Sequence, residues 1–476
     1  MPKKTSSGPA ASARPRVDVL CAVLALICVI AWLFTRAPER RAEILPTEES
    51  ASGAAVETAR RGASNRLIIH GANAGPAPTA EQVVAAKLSQ FARSRRGFAY
   101  ALSQRHGVPV SGDVERFFAA VESGNWSDIT NAFSKIDGGD SSAGHSAGRP
   151  PGIEHLWPAI IDAFGAAEQA HQWPAQQLLD YGNSVLDSLR PGMIYVGGTD
   201  SGRWIPELLN DTSEGERHIV ITQNGLADGT YLDYLQLQYG DQVTTLSSED
   251  SQNAFKSYVD DARKRLEHDT QFPDEPKQVR PGEEVRLKED GRVEVGGQVA
   301  VMAINEALLK AFMDKNPDVP IALQESFPLR GTYSDALPIG PLMELHARDG
   351  QNAFTAERAG ESLDYWRNTA QQVASNPETK GSTEAMKSYS HDAVAAANLL
   401  AAHNYGNEAE EGYRIASQLW PGNPESVGSL AGLLAQQGRS DEAEQMLRDF
   451  ATKYPDQIKH VETIMAGQWR LTFRPP

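Results

Sequence analysis

Cysteine is nearly absent: Cys21 and Cys28 are the only two among 476 residues, and both lie in one apolar stretch, "VLCAVLALICVIAWLF" (residues 19–34). The rest of the chain therefore offers no disulfide, no thiolate metal site and no cysteine nucleophile. The eleven histidines show no H-E-x-x-H or similar metal-ligand spacing. Neither nucleotide fingerprint, G-x-G-x-x-G or G-x-x-x-x-G-K-[ST], occurs, and no strand-like run leads into a G-x-S-x-G turn. Net positive charge is lacking as well. The formal charge is −17; residues 1–41 carry seven Lys/Arg against Asp18 and Glu39, so the remainder stands near −22. A body this acidic argues against non-specific binding to nucleic acid or anionic lipid. No cofactor is expected.

Long apolar runs are also scarce, with the one exception already quoted. Its sixteen residues rise about 24 Å as a helix, and Val17 and Thr35 extend it toward the span of a bilayer core. Four basic residues precede it, and Trp32 sits near its far end as an interfacial anchor. A cleaved signal peptide is the rival reading, but the charged "TRAPERR" that follows is no small-x-small cleavage site. "DVLC" and "ALIC" lack the small residue usual before a lipidated cysteine. The expectation is a short cytoplasmic tail (1–18), a single transmembrane anchor (19–35) and a flexible linker (36–79). The large body would be extracytoplasmic, in a periplasm or its equivalent at the inner membrane.

Beyond the linker, residues 80–189 read as mostly helical. Val83, Val84, Leu88, Phe91 and Phe98 share a face, and two short helices split at Gly124. "RSRRG" (93–97) reads as a solvated helix end, and residues 137–152 as a polar, Gly-rich loop. Residues 190–350 change character. "MIYVGG" (193–198), "HIVITQ" (218–223) and "QVTTL" (242–246) read as strands, each followed by a helix. In the first of these helices Pro206 is placed near the first turn; the third opens on a Ser247/Asp250 capping box. A hairpin is expected around Asp290-Gly291, then a helix, then strands at 319–325 and 341–347. The pattern predicts an α/β body with a parallel or mixed sheet and flanking helices.

Residues 351–476 read as an all-α helical domain. Ala397 and Ala431 are 34 apart, as are Leu400 and Leu434, Ala409 and Ala443, Tyr413 and Leu447, and Pro421 and Pro455. Small residues let paired helices approach, and proline ends the second. On these residues the stretch 388–456 resembles tetratricopeptide repeats. That resemblance implies a concave groove for a protein partner, with His391 and Asn398 lining its first helix. The helices at 355–376 and 457–467 would cap the array or dock it on the body.

The strand–helix turns carry the remaining chemistry. In "VGGTDSGRW", Gly197 and Gly198 would let backbone approach a ligand, and Thr199, Asp200 or Ser201 stand beside a helix N-terminus. In "TQNGLADGT", Asn224, Asp228 and Thr230 repeat the design. Asp, Ser and Thr are equally the standard N-caps, so capping and a binding crevice both fit. Asp200 disfavours phosphate by repulsion and suits a sugar or other polyol better.

Three stretches, "PGMIYVGGTDSGRWIPELL", "HIVITQNGLADGTYLDYL" and "INEALLKAFMDKNPDVPIALQES…GPLMELHA", cover roughly residues 190–347. They resemble the soluble region that follows the membrane domain in multi-spanning bacterial proteins related to protein O-mannosyltransferases. The resemblance implies an extracytoplasmic α/β module associated with glycan machinery. It carries over no transferase activity, because one spanning segment leaves no room for the membrane-embedded catalytic domain. The whole arrangement also resembles membrane-anchored repeat proteins of environmental bacteria. Two functions remain in view. The preferred one is a tethered, non-catalytic scaffold or adaptor recruiting a protein partner through the repeats. The alternative is a carbohydrate-binding or glycan-processing accessory module using the crevice near Asp200 and Asp228, which requires both loops on one sheet edge, lining one pocket.

Overall fold

A computed structural model describes residues 77–137, 152–289, 291–345 and 354–471, with only the backbone of 298 and 466–471. The expected tail, anchor and nearly all of the linker lie outside the described residues. Among those described, no helix is long and apolar enough to cross a membrane. The protein is mostly helical, built around a mixed sheet.

Helix α1 (Ala80–His106) starts at a capping box between Thr79 and Gln82 and stops at Gly107, whose φ is +63°. Its apolar stripe packs on α2 (Gly112–Ser123), α4 (Trp157–Gln172) and α5 (Ala175–Leu186). Gly124, φ +73°, separates α2 from α3 (Trp126–Ile136) as the sequence suggests. The basic cluster does not. Arg95 is fully buried in mid-helix, its guanidinium 2.7 Å from both Glu207 and Asp211 and 3.4 Å from Asp162. Arg203 joins the same cluster, at 3.0 Å from Asp162 and 3.1 Å from Glu207, and the Tyr234 hydroxyl donates to Asp162. The helix does not end there, and while Arg93 is exposed and Arg96 partly so, Arg95 sits in a buried ion network tying α1, α4, α6 (Ser201–Asp211) and α7 (Gly229–Tyr239).

The sheet centres on β1 (Ile194–Gly197), every residue of which is buried. β2 (Ile219–Thr222) runs parallel on one side and β5 (Ile321–Leu323) parallel on the other, with Ile194 opposite both Ile219 and Ile321. β7 (Leu342–Leu345) pairs antiparallel with β5, and β6 (Ala336–Ile339) forms the outer edge, giving the order β2-β1-β5-β7-β6. Strands covered on both faces read as unbroken apolar runs, which is why β1, β2 and β5 were visible in the sequence.

The expected third strand at 242–246 is not one. Its Thr244 backbone bonds a side chain instead: Thr244 N–H donates to Asn316 Oδ1 at 2.9 Å, and Asn316 Nδ2 donates back to the Thr244 carbonyl at 2.9 Å. Helix α8 (Ser248–Gln271) opens on the anticipated Ser247/Asp250 box. The hairpin β3 (Glu284–Leu287) and β4 (Val293–Gly296) is a separate two-stranded sheet. It leads into α9 (Gln298–Lys315).

Helices α10 (Ala356–Ser375), α11 (Pro377–Gly381), α12 (Thr383–Ala402), α13 (Gly406–Leu419), α14 (Pro424–Gln436), α15 (Ser440–Lys453) and α16 (Ile458–Leu471) complete the chain. The helix pairs α12–α13 and α14–α15 follow the 34-residue spacing. Asn404 and Gly438, 34 apart, turn each pair with positive φ, +65° and +79°. At the first crossing, a Cβ on Gly412 would lie 2.9 Å from that of Ala397. α10 packs on α13 and α16 on α14, while α12 lies against the sheet.

Candidate functional site

The chain leaves β1 toward β2 on one side and later adds β5 on the other, so the carboxyl ends of β1 and β5 form the switch point where ligands of open α/β sheets bind. Here that place is occupied by the protein itself. Gly198 lies so close to β5 that a Cβ would fall 1.2 Å from Ser326 Oγ. Ser326 donates to Asp200 Oδ2. The other oxygen of Asp200 accepts from Gly202 N–H at 2.9 Å and caps α6. Gly197 is tight as well, a Cβ there meeting Arg203 at 2.8 Å.

Pro206 sits in the second turn of α6 rather than its first. Having no N–H, it cannot serve the carbonyl of Gly202, four residues back. The hydroxyl of Tyr195 on β1 donates to that carbonyl instead.

The first repeat helix closes the switch point from the other side. Ser388 on α12 is 2.5 Å from Ser201. Asp392, 2% exposed, accepts from Tyr181 OH and from Gln324 Nε2, both at 2.8 Å. Burial pushes its carboxyl up to about 6, against the pull of His391 and of its two donors. Glu325, at the end of β5, accepts from Leu329 N–H at 2.7 Å and Tyr333 OH at 2.9 Å, and burial pushes it up to about 7. His391 stands between Glu425 on α14, 3.0 Å from Nδ1, and the Glu325 carbonyl, 2.6 Å from Nε2.

The loops after β1 and β2 do share one sheet edge. Asn224 Nδ2 donates to Thr199 Oγ1 at 3.1 Å, and Thr222 Oγ1 donates to the Gly198 carbonyl at 2.9 Å. Asp228 caps α7, accepting from the N–H and hydroxyl of Thr230, each at 2.8 Å. Thr199, Asn224 and the two glycines are thus brought together, while Asp200 turns toward β5 and Asp228 serves its own helix. Sequence reasoning missed Gln223. Its side chain is fully buried at the end of β2, yet neither amide atom has a hydrogen-bond partner. Asn224 Oδ1 beside it and Gln324 Oε1 at the end of β5 are also unpartnered. A Gln directly after a strand, in a turn otherwise made of capping residues, was the available signal.

His391 and Asn398 do not line an open groove. His391 is docked on the body as described. Asn398 is buried within the first pair, its Oδ1 accepting from Tyr413 OH at 2.8 Å. In the second pair, α16 covers α14, Ile464 packing against Gly428. The spelling of a nucleophile elbow does occur once, Gly144-His145-Ser146-Ala147-Gly148, and it lies outside the described residues. Among the described residues no cluster of His, Cys, Asp or Glu could hold a metal ion. No known protein family matches the chain, nor does any curated protein or solved structure.

Proposed function

We propose that this protein is a membrane-tethered, extracytoplasmic binding module whose sheet edge takes a neutral, hydroxyl-rich ligand such as a saccharide. The carrying observation is Gln223, fully buried with both amide atoms unpartnered. An unpaired buried polar group costs about 1–3 kcal/mol, a cost that a water or a ligand hydroxyl reaching it would remove. An amide donates and accepts at once, as a sugar hydroxyl does. Asn224 Oδ1 adds a second acceptor beside the exposed Thr199. Anions are disfavoured, since Asp200 and Asp392 already stand near the N-terminus of α6. The likeness to modules of glycan machinery points the same way, and the segment 19–35 supplies the tether.

The test is saturation-transfer NMR on the purified full chain with glucose, mannose, galactose and N-acetylglucosamine, and inorganic phosphate as control. At least one sugar is expected to bind, about tenfold more weakly in Asn224→Ala, the loss of one to two hydrogen bonds. Asn224 caps no helix, so this variant spares the fold. Binding of none of the sugars, or unchanged affinity in the variant, rejects the reading.

A second reading keeps the adaptor role on tetratricopeptide-like repeats. It is favoured by His391 and Glu425, one repeat apart and in direct contact, as stacked repeats require. The partner surface would then be the outer face, where Glu410, Arg414, Arg439 and Glu442 form an exposed ion network. A paired Arg414→Glu, Arg439→Glu variant that still retains every crosslinked membrane partner of the parent chain counts against it.

A further inference from the structure

We propose that His391 is a protonation-dependent tie: as imidazolium it joins the end of β5 to the first two helix pairs at once, and as neutral imidazole it lets the β5 end go. The geometry demands the cation. Both ring nitrogens face acceptors, a carboxylate oxygen of Glu425 at 3.0 Å and the backbone carbonyl of Glu325 at 2.6 Å. A neutral imidazole has one N–H and one lone pair, so it can satisfy only one of them.

The surroundings favour the charge. Glu425 faces the ring from α14, with His460 of α16 beyond it. Asp392 adjoins on α12 itself, and Asp200 comes from the end of β1. From the end of β5 come the Glu325 carboxyl and Arg330. Carboxylates outnumber the cations. Burial opposes ionisation of the ring, yet Glu425, Asp392 and Asp200 together hold its pKa well above the usual histidine value.

Loss of the proton has a defined consequence. The remaining N–H stays with Glu425, because a carboxylate is the stronger acceptor. The ring's lone pair then confronts the Glu325 carbonyl, and the β5 end is pushed away. The next residue is Ser326, whose hydroxyl holds Asp200 at the switch point. The tie therefore sets how firmly the helical half closes the sheet edge, whether or not a ligand binds there.

The experiment needs no ligand. The full chain, labelled at histidine, is titrated by NMR, and hydrogen exchange of residues 324–333 is followed over the same pH range, corrected for intrinsic rates. His391 is expected to titrate above the free value of about 6.5. Exchange at 324–333 should rise where it does. Glu425→Gln should lower that midpoint by about one unit, a tenfold loss of proton affinity. In His391→Asn the segment should exchange fast at every pH. If His391 titrates near its free value, if Glu425→Gln leaves the midpoint in place, or if exchange ignores the titration, the tie does not exist. Should the Asn variant fail to fold, Glu425→Gln alone still decides.

Discussion

At Gly198 a single methyl group decides whether the switch point closes. A Cβ there would lie 1.2 Å from Ser326 Oγ and 3.1 Å from Asp200 Oδ2. Gly198→Ala must expel the serine side chain and strip Asp200 of one of its two donors, so a loss of about 1–3 kcal/mol is expected in chemical denaturation. Ser326→Ala removes only the hydrogen bond and should cost about 1 kcal/mol. Equal stabilities of Gly198→Ala and the parent chain would contradict this packing. Arg95 gives the larger effect. Its removal leaves buried Asp162 and Glu207, and half-buried Asp211, with less compensation, and losing one partner of a buried ion pair costs about 3–5 kcal/mol. The placement of Arg95 was legible in the sequence. Leu88, Phe91, Arg95 and Phe98 step along one helix face, and only the charge argued otherwise. Its acidic partners were not legible, because they arrive from α4 and α6.

Elements that are apolar throughout, or that repeat, announced themselves; those defined by their neighbours did not. β1, β2 and β5 are continuous apolar runs, and the helix pairs recur every 34 residues. "QVTTL" has the β-branched composition of a strand, yet no strand among the described residues pairs with it, and the Asn316 side chain takes both of Thr244's backbone groups. β6 passed unnoticed because of Pro338, which only an edge strand tolerates, and β6 is the edge. Asn316→Ala should therefore destabilise by about 1–3 kcal/mol, since it leaves two backbone groups unpaired. An effect below a few tenths in the same denaturation assay would mean that water replaces the amide without loss. In the candidate site, the turn residues and their capping duties could be read from the sequence. Buried Gln223, and the turn of Asp200 toward β5, depend on strand order, which a sequence does not carry.

Across the whole molecule, the helical half is part of the body rather than an appendage. Asp392 meets Tyr181 and Gln324, and His403 meets the Tyr333 carbonyl at 2.7 Å. Deleting residues 388–476 is expected to abolish cooperative unfolding of what remains, monitored by circular dichroism. A truncated chain that melts sharply at the parent temperature would show the two halves to be separable. Stability should also depend on pH in a defined direction. Burial raises Glu325 and Glu207 to about 7 and Asp392 to about 6. These folded values exceed the unfolded ones of about 4, so the folded state binds more protons and stability falls as pH rises from about 4 to 7. His391, also raised, adds stability that is present below about 6.5 and lost as pH climbs through its folded value. The lowered carboxyls of Glu410, Glu411 and Asp269 act oppositely, weakening the fold below about pH 4. The melting temperature should thus be several degrees higher at pH 5.5 than at pH 8.5, and a flat profile would contradict the burial of these acids.

The bond between Tyr181 and Asp392 joins residues 211 apart in sequence. A ribosome adding about 5–20 residues per second releases the tyrosine ten seconds or more before its aspartate exists. For about the first two thirds of that interval β1 also lacks β5 (Ile321–Leu323), and the open edge of the half-made sheet offers unpaired backbone to any neighbouring strand. Aggregation in this protein is therefore a hazard of synthesis more than of the finished fold. Slowing translation between residues 200 and 390 should lower the soluble yield, whereas slowing it after 402 should not.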